Sequence, residues 1–230
     1  MGLTGFRPYP LAIASPAREN RLSATHRQNR VTPLGMFEAV PARGLFMGNR
    51  GNLRRRDGTQ KIWHARGWVC CVTSFRGRRI DLDDPRRYTP LFFMDEAVAL
   101  AAGHRPCGEC RHADYQAFKQ AWRRAFALPE DAPLRAGDMD KALHKARIAR
   151  GHQVTHVAAL RDLPAGTFVA LDERPGEAFL VDAGALHRWS HAGYGAPASV
   201  ASGTVVTVLT PRPTVAVLRA GYAPRMAARG

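Results

Sequence analysis

The sequence predicts an α+β protein, and three observations lead there. Helical spacing of apolar residues is concentrated between residues 95 and 150, and short β-branched or aromatic runs set off by turn formers lie on either side of it. Four cysteines fall in two tight pairs, at 70 and 71 and at 107 and 110. Together they predict a small metal-bound module of short helices on a small sheet, followed by a β-rich accessory domain. A chain of 230 residues has room for one or two such domains.

Taken in order, residues 1–30 carry prolines and scattered arginines without periodicity and read as a basic, flexible arm. The stretch "RVTPLGMFEAVPARGLFMGNRGNLRRRDGTQ" reads as short strands broken at Pro33, Gly35, Pro41, Gly44, Gly48 and Gly51, and "GWVCCVTSF" as a strand turning at Gly77. Asp95 is placed to cap a short helix that Gly103 stops, and a longer helix is expected from about Glu109, with Tyr115, Phe118, Trp122 and Phe126 along its apolar stripe. This module spans 31–126. A Pro-rich linker and the short helix "DMDKALHKARIAR" occupy 127–150, and 151–230, including all of "GTVVTVLTPRPTVAVLRAGY", reads as β-rich.

Charge is distributed unevenly. Residues 1–80 hold 15 arginines or lysines against three acids, so most of the formal net charge of +15 sits in that third. Concentrated positive charge attracts polyanions, which makes nucleic acid, DNA first, the expected partner. Only four of the 34 basic residues are lysines, a bias that high-GC coding also produces. No apolar run approaches the roughly 20 residues a membrane-spanning helix needs, and no signal-peptide core is evident, so a bacterial cytoplasmic location and no membrane partner are expected.

Cysteine pairs in a chain without an export signal point to metal or redox chemistry rather than disulfides. A C-x-x-C pair at a loop-to-helix junction suits zinc. Free backbone N–H groups can bond the thiolates, Gly108 relieves the turn, and a helix N-terminus lowers the thiol pKa. Zinc takes four ligands, so Cys107 and Cys110 need partners. Adjacent strand residues face opposite ways, so one of Cys70 and Cys71, with Cys71 favoured, is expected at the metal and the other in the core. His104, His112, His64 or water completes the set. A thioredoxin-like redox pair would sit near the first strand of its fold, which this one does not. "PCGEC" matches half of the zinc deaminase signature, but in "HAR" at 64–66 Arg66 stands where the essential glutamate belongs, leaving no proton shuttle.

The segment "LFFMDEAVALAAGHRPCGECR", residues 91–111, resembles the C-terminal half of the zinc-binding domain of Ada-type DNA repair proteins, with weaker similarity over about 63–125. The resemblance implies a small α/β zinc module that binds DNA, with Cys107 and Cys110 as the family's second ligand pair. In that family one zinc cysteine accepts a methyl group from a phosphotriester. The family's first pair lies after the strand, where this chain reads "GRRIDLDDPRR", so that role is not carried onto a residue here.

Outside the cysteines, "ARGLFMGNRGNLRRR" offers Arg43, Asn49, Arg50, Arg54, Arg55 and Arg56 as phosphate contacts, with Arg78, Arg79 and Arg105 as further nucleic-acid contacts. The loop fits no Walker or dinucleotide pattern. His144 with Asp140 one turn upstream, and His187, Trp189, His191 and Tyr194 in "LHRWSHAGYG", are the candidate catalytic or base-stacking groups. Three functions compete on this reading. One is a DNA-binding zinc protein of a repair or modification setting, its zinc chiefly structural. The second is a DNA-processing enzyme of the phosphotriester or base-excision type, and the third a zinc-stapled protein-interaction module.

Overall fold

A computed structural model of the protein describes residues 26–77, 81–82, 84–149, 151–201 and 203–228. Most of the expected arm, and Arg78 and Arg79, lie outside the described residues. In chain order the elements are β1 (Arg30–Val31), β2 (Phe37–Glu38), β3 (Phe46–Asn49), β4 (Val69–Val72), β5 (Leu91–Phe93), α1 (Glu96–Ala101), β6 (Arg105–Pro106), α2 (His112–Ala125) and α3 (Ala136–Arg147). They continue with β7 (Ile148–Ala149), β8 (His152–Gln153), β9 (His156–Ala159), β10 (Phe168–Ala170), β11 (Phe179–Asp182), β12 (Ala185–Ser190), β13 (Gly193–Ala198), β14 (Val205–Val208) and α4 (Arg212–Arg219). The fold is α+β.

The first sheet has the order β2-β1-β5-β3-β4-β6 and the second β13-β12-β11-β10-β14-β9. Helix α1 lies between them. Asp95 caps it by accepting from the Val98 N–H at 3.0 Å, and Gly103, at φ +84°, ends the turn that follows. A surface helix carries polar residues on one face, but every residue of "EAVALA" is buried. Ala97, Val98, Ala99 and Ala101 share one core cluster with Val31, Phe46, Leu91 and Phe93 of the first sheet and Phe168, Ala170 and Leu180 of the second. Small side chains let both sheets approach the helix, and one core cluster holds residues from both sheets.

A second cluster joins Leu100 to Phe118, Ala121 and Trp122 of α2, Met139 and Leu143 of α3, and Val217 and Leu218 of α4. The aromatic stripe of α2 is thus core at Phe118 and Trp122, while Phe126 is exposed. Helix α2 starts three residues later than expected, after a turn closed by the Arg111 N–H donating to the Cys107 carbonyl at 3.2 Å. The larger departure is α4. Its β-branched run reads as a strand, but Pro213 sits in its first turn, and Thr214, Val215, Val217 and Leu218 bury one helical face. Packing on α2 and α3 overrides the weak β propensity of the run.

Burial also sets an acid limit on the fold. His156, on β9, has its pKa pushed down to about 4, by burial first and then by the charge of Arg212. The unfolded chain takes up this proton near the ordinary histidine value of about 6.5, before the folded chain does. Its contribution is fully present above that value and is lost as pH falls toward 4. Urea unfolding should show stability declining across this window, and His156→Gln should flatten the decline.

Candidate metal centre

Three cysteines converge from two elements. Strand β4 runs parallel to β6 with Cys70 opposite Pro106, and the Cys107 N–H donates to the Cys70 carbonyl at 2.9 Å. That ladder sets Cys107 beside β4 at the level of the cysteine pair, and the turn that follows brings back Cys110. The Sγ atoms of Cys71, Cys107 and Cys110 all lie within 4.8 Å of one another. Thiolates about 2.3 Å from one tetrahedral zinc stand about 3.8 Å apart, so the triangle is of a size to hold one metal ion.

The thiols differ in readiness. A hydrogen bond from the Cys71 thiol lowers the Cys107 pKa to about 5, with further help from the Cys110 and Glu109 backbone N–H groups. Cys71 itself is pushed up by that same bond and then by burial, and Cys110 is raised, chiefly by burial. Gly108 has no positive φ, and a Cβ there would meet Tyr115 at 3.6 Å, an ordinary contact, so the turn does not require a glycine. Tyr88, which sequence reasoning missed, is raised by burial and then by the charges of the three cysteines. A tyrosine 17 residues from the nearest of these cysteines in sequence carries no signal of such proximity.

The other proposed ligands stand outside this group. Cys70 faces the core, fully buried, and accepts from Arg111 Nη1 at 3.3 Å. His104 is enclosed by Phe93 and Trp68 and accepts at Nε2 from Arg50 Nε at 3.2 Å; burial, then the charges of Arg50 and Arg147, hold its pKa well below the usual value. His112 turns its Nδ1 to the Gly108 carbonyl, and His64 lies against Gly51. Among the described residues no fourth cysteine, histidine or carboxylate joins the three.

Several arginines read as nucleic-acid contacts are structural. Arg50 is 1% exposed, and Arg105 is buried in a two-pronged ion pair with Asp140, at 2.9 and 2.8 Å. Arg54 donates to the Leu82 and Asp84 carbonyls, and the Asn49 side chain accepts from the Gly51 N–H. Arg43, Arg55 and Arg56 are exposed. The candidate catalytic groups are dispersed in the same way. Asp140 is engaged by Arg105 rather than His144, which packs edge-on to Trp63 and whose pKa is lowered by burial. His187 Nδ1 meets the Gly195 carbonyl, Tyr194 donates to Asp95 at 2.7 Å, and His191 pairs with Glu38, its ring 4.7 Å from that of Trp189.

Behind the cysteines, Arg111 and Glu96 form an ion pair at 2.7 Å with side chains 1% and 0% exposed. Burial alone would pull the Arg111 pKa down; the hydrogen bond and charge of Glu96 outweigh it and hold the guanidinium charged. Removing one member strands a buried charge. Arg111→Met should therefore cost about 3 kcal/mol or more in urea unfolding, and Glu96→Gln with Arg111→Met should recover part of that loss.

Comparison with protein-family models, curated proteins and solved structures finds no match to the chain. No helix among the described residues is long and apolar enough to cross a membrane.

Proposed function

We propose that the protein binds one zinc ion through Cys71, Cys107 and Cys110, that the zinc is chiefly structural, and that the basic N-terminal third binds DNA. The convergence of three sulfurs within 4.8 Å from a strand and a following turn carries this reading. Sulfur ligands in a compact group favour zinc over the oxygen-seeking cations. Cys107, already inclined to ionise, is a natural first ligand, and the ion would replace the thiol hydrogen bonds that hold the group together without it. Bound there, zinc would pin β4 to the start of α2. Structural zinc contributes on the order of 10 kcal/mol to small modules.

The resemblance of residues 91–111 to the Ada-type zinc domain supports the same assignment, since it implies that Cys107 and Cys110 correspond to that family's second ligand pair. Native mass spectrometry should find one zinc per chain, lost in Cys71→Ser and retained in Cys70→Ala, whose side chain faces the core. Metal retained in Cys71→Ser would sink the assignment.

The DNA reading rests on charge. Arg43, Arg55 and Arg56 are exposed and lie in the third of the chain that carries 15 basic and three acidic residues. Affinity for duplex DNA should drop at least about tenfold between 50 and 200 mM salt, as two released phosphate counterions require. Replacing Arg55 and Arg56 together by alanine should reduce the magnitude of the log–log slope by about 2. An affinity indifferent to salt would argue against nucleic acid altogether.

A further inference from the structure

A cavity of about 200 Å³ lies between the first sheet and the C-terminal end of α3, walled in part by Met36, Phe37, Ile62 and Trp68. Two arginines, Arg50 and Arg147, also line it. Both are essentially buried, at 1% and 2% exposure, and both lie against the same indole, with guanidinium carbons 4.0 and 3.7 Å from the centre of the Trp68 ring.

Their partners set these two apart. The other deeply buried arginines, Arg105 and Arg111, each hold a carboxylate, Asp140 and Glu96. Among the described residues neither Arg50 nor Arg147 forms an ion pair. Their hydrogen bonds go to neutral acceptors instead. Arg50 donates to His104 Nε2 and the Ile62 and Ala102 carbonyls, and Arg147 to the Gly103 and Arg66 carbonyls. Arg147 Nε is buried with no partner at all. The carboxylate whose charge favours Arg147, Asp140, is already held by Arg105; burial of two guanidiniums is costly without an anion of their own, and each has five N–H donors to fill.

The apolar wall limits what that anion can be. A phosphate dianion would leave oxygens facing Met36, Phe37 and Ile62, whereas a carboxylate offers two oxygens in the plane a guanidinium fork prefers and can carry an apolar body. The volume is of the order that admits a single ring, since an engineered cavity of roughly 150 Å³ accepts benzene. Met36 and Ile62, 37% and 44% exposed, place the cavity's edge at the surface.

We propose that this cavity binds a small monocarboxylate with a one-ring apolar body, its carboxylate held by Arg50 and Arg147 and its ring against Phe37, Ile62 and the Trp68 edge. The site is separate from the cysteine cluster and stands whether or not zinc or DNA binds. Calorimetry and thermal unfolding of the full chain with benzoate as the probe test it. Saturable one-to-one binding is expected, with a melting temperature that rises with benzoate concentration. Benzamide, the same shape without the charge, should bind at least about tenfold more weakly, as the loss of a charge-assisted hydrogen bond implies. Arg147→Met should abolish binding, and because that variant is at risk of misfolding, Ile62→Trp at the rim serves beside it. This variant should keep the melting temperature of the free protein and lose benzoate. No saturable benzoate binding, benzamide or inorganic phosphate binding as tightly as benzoate, or unchanged benzoate affinity in a folded Ile62→Trp would each overturn the proposal.

Discussion

The buried pair of Glu96 and Arg111 is the constraint on which the rest of the structure depends. Glu96 opens α1 between two sheets, where an unpaired carboxylate could not stay charged. It accepts from Arg111 Nη2 at 2.7 Å, from the Tyr222 hydroxyl at 2.5 Å and from the Arg225 N–H at 2.9 Å. Arg111 in turn reaches Asp114 and Cys70 and stacks over Phe46. One ion pair thereby ties together β3, β4, α1, the start of α2 and the C-terminal tail. A buried pair is tolerable only when its remaining hydrogen-bonding capacity is met, and here four further partners meet it, Tyr222, Arg225, Asp114 and Cys70.

The same pair orders the cysteine cluster from behind. Arg111 follows Cys110 directly, so anchoring its guanidinium in the core fixes the turn that returns Cys110 toward Cys107. Cys70, held by Arg111, and Cys71, turned toward the cluster, then divide the two faces of β4 between core and site. Strand alternation alone requires this division. Which cysteine takes which face is decided by where the Arg111–Glu96 pair lies.

Several arginines serve this protein as structural cations. Arg54 ties down the Leu82, Asp84 and Arg87 carbonyls, Arg105 clamps α3 through Asp140, and Arg50 and Arg147 both lie over Trp68. The planar, weakly hydrated guanidinium can be buried against aromatic rings where an ammonium would demand water. The scarcity of lysine noted from composition therefore has a structural use whatever its genomic origin. Gly103 belongs to this arrangement as well, because a Cβ there would come within 2.5 Å of the Arg147 side chain.

Local signals were legible in the sequence wherever they act within a few residues. The Asp95 cap, the Gly103 stop, the buried Phe118 and Trp122 of α2 and the opposed faces of Cys70 and Cys71 all follow from spacing and side-chain chemistry, as does the α+β class. The rest depended on contacts between distant segments. Residues 212–219 became a helix because α2 and α3 present an apolar surface to it, a fact absent from its own β-branched run. Arg50 and Arg105 went inside, and Asp140 turned to Arg105 rather than to His144, because their side-chain partners, His104 for Arg50 and Asp140 for Arg105, lie 35 residues away or more. A charge's role is set by the solvent and partners around it, and only the folded chain supplies those.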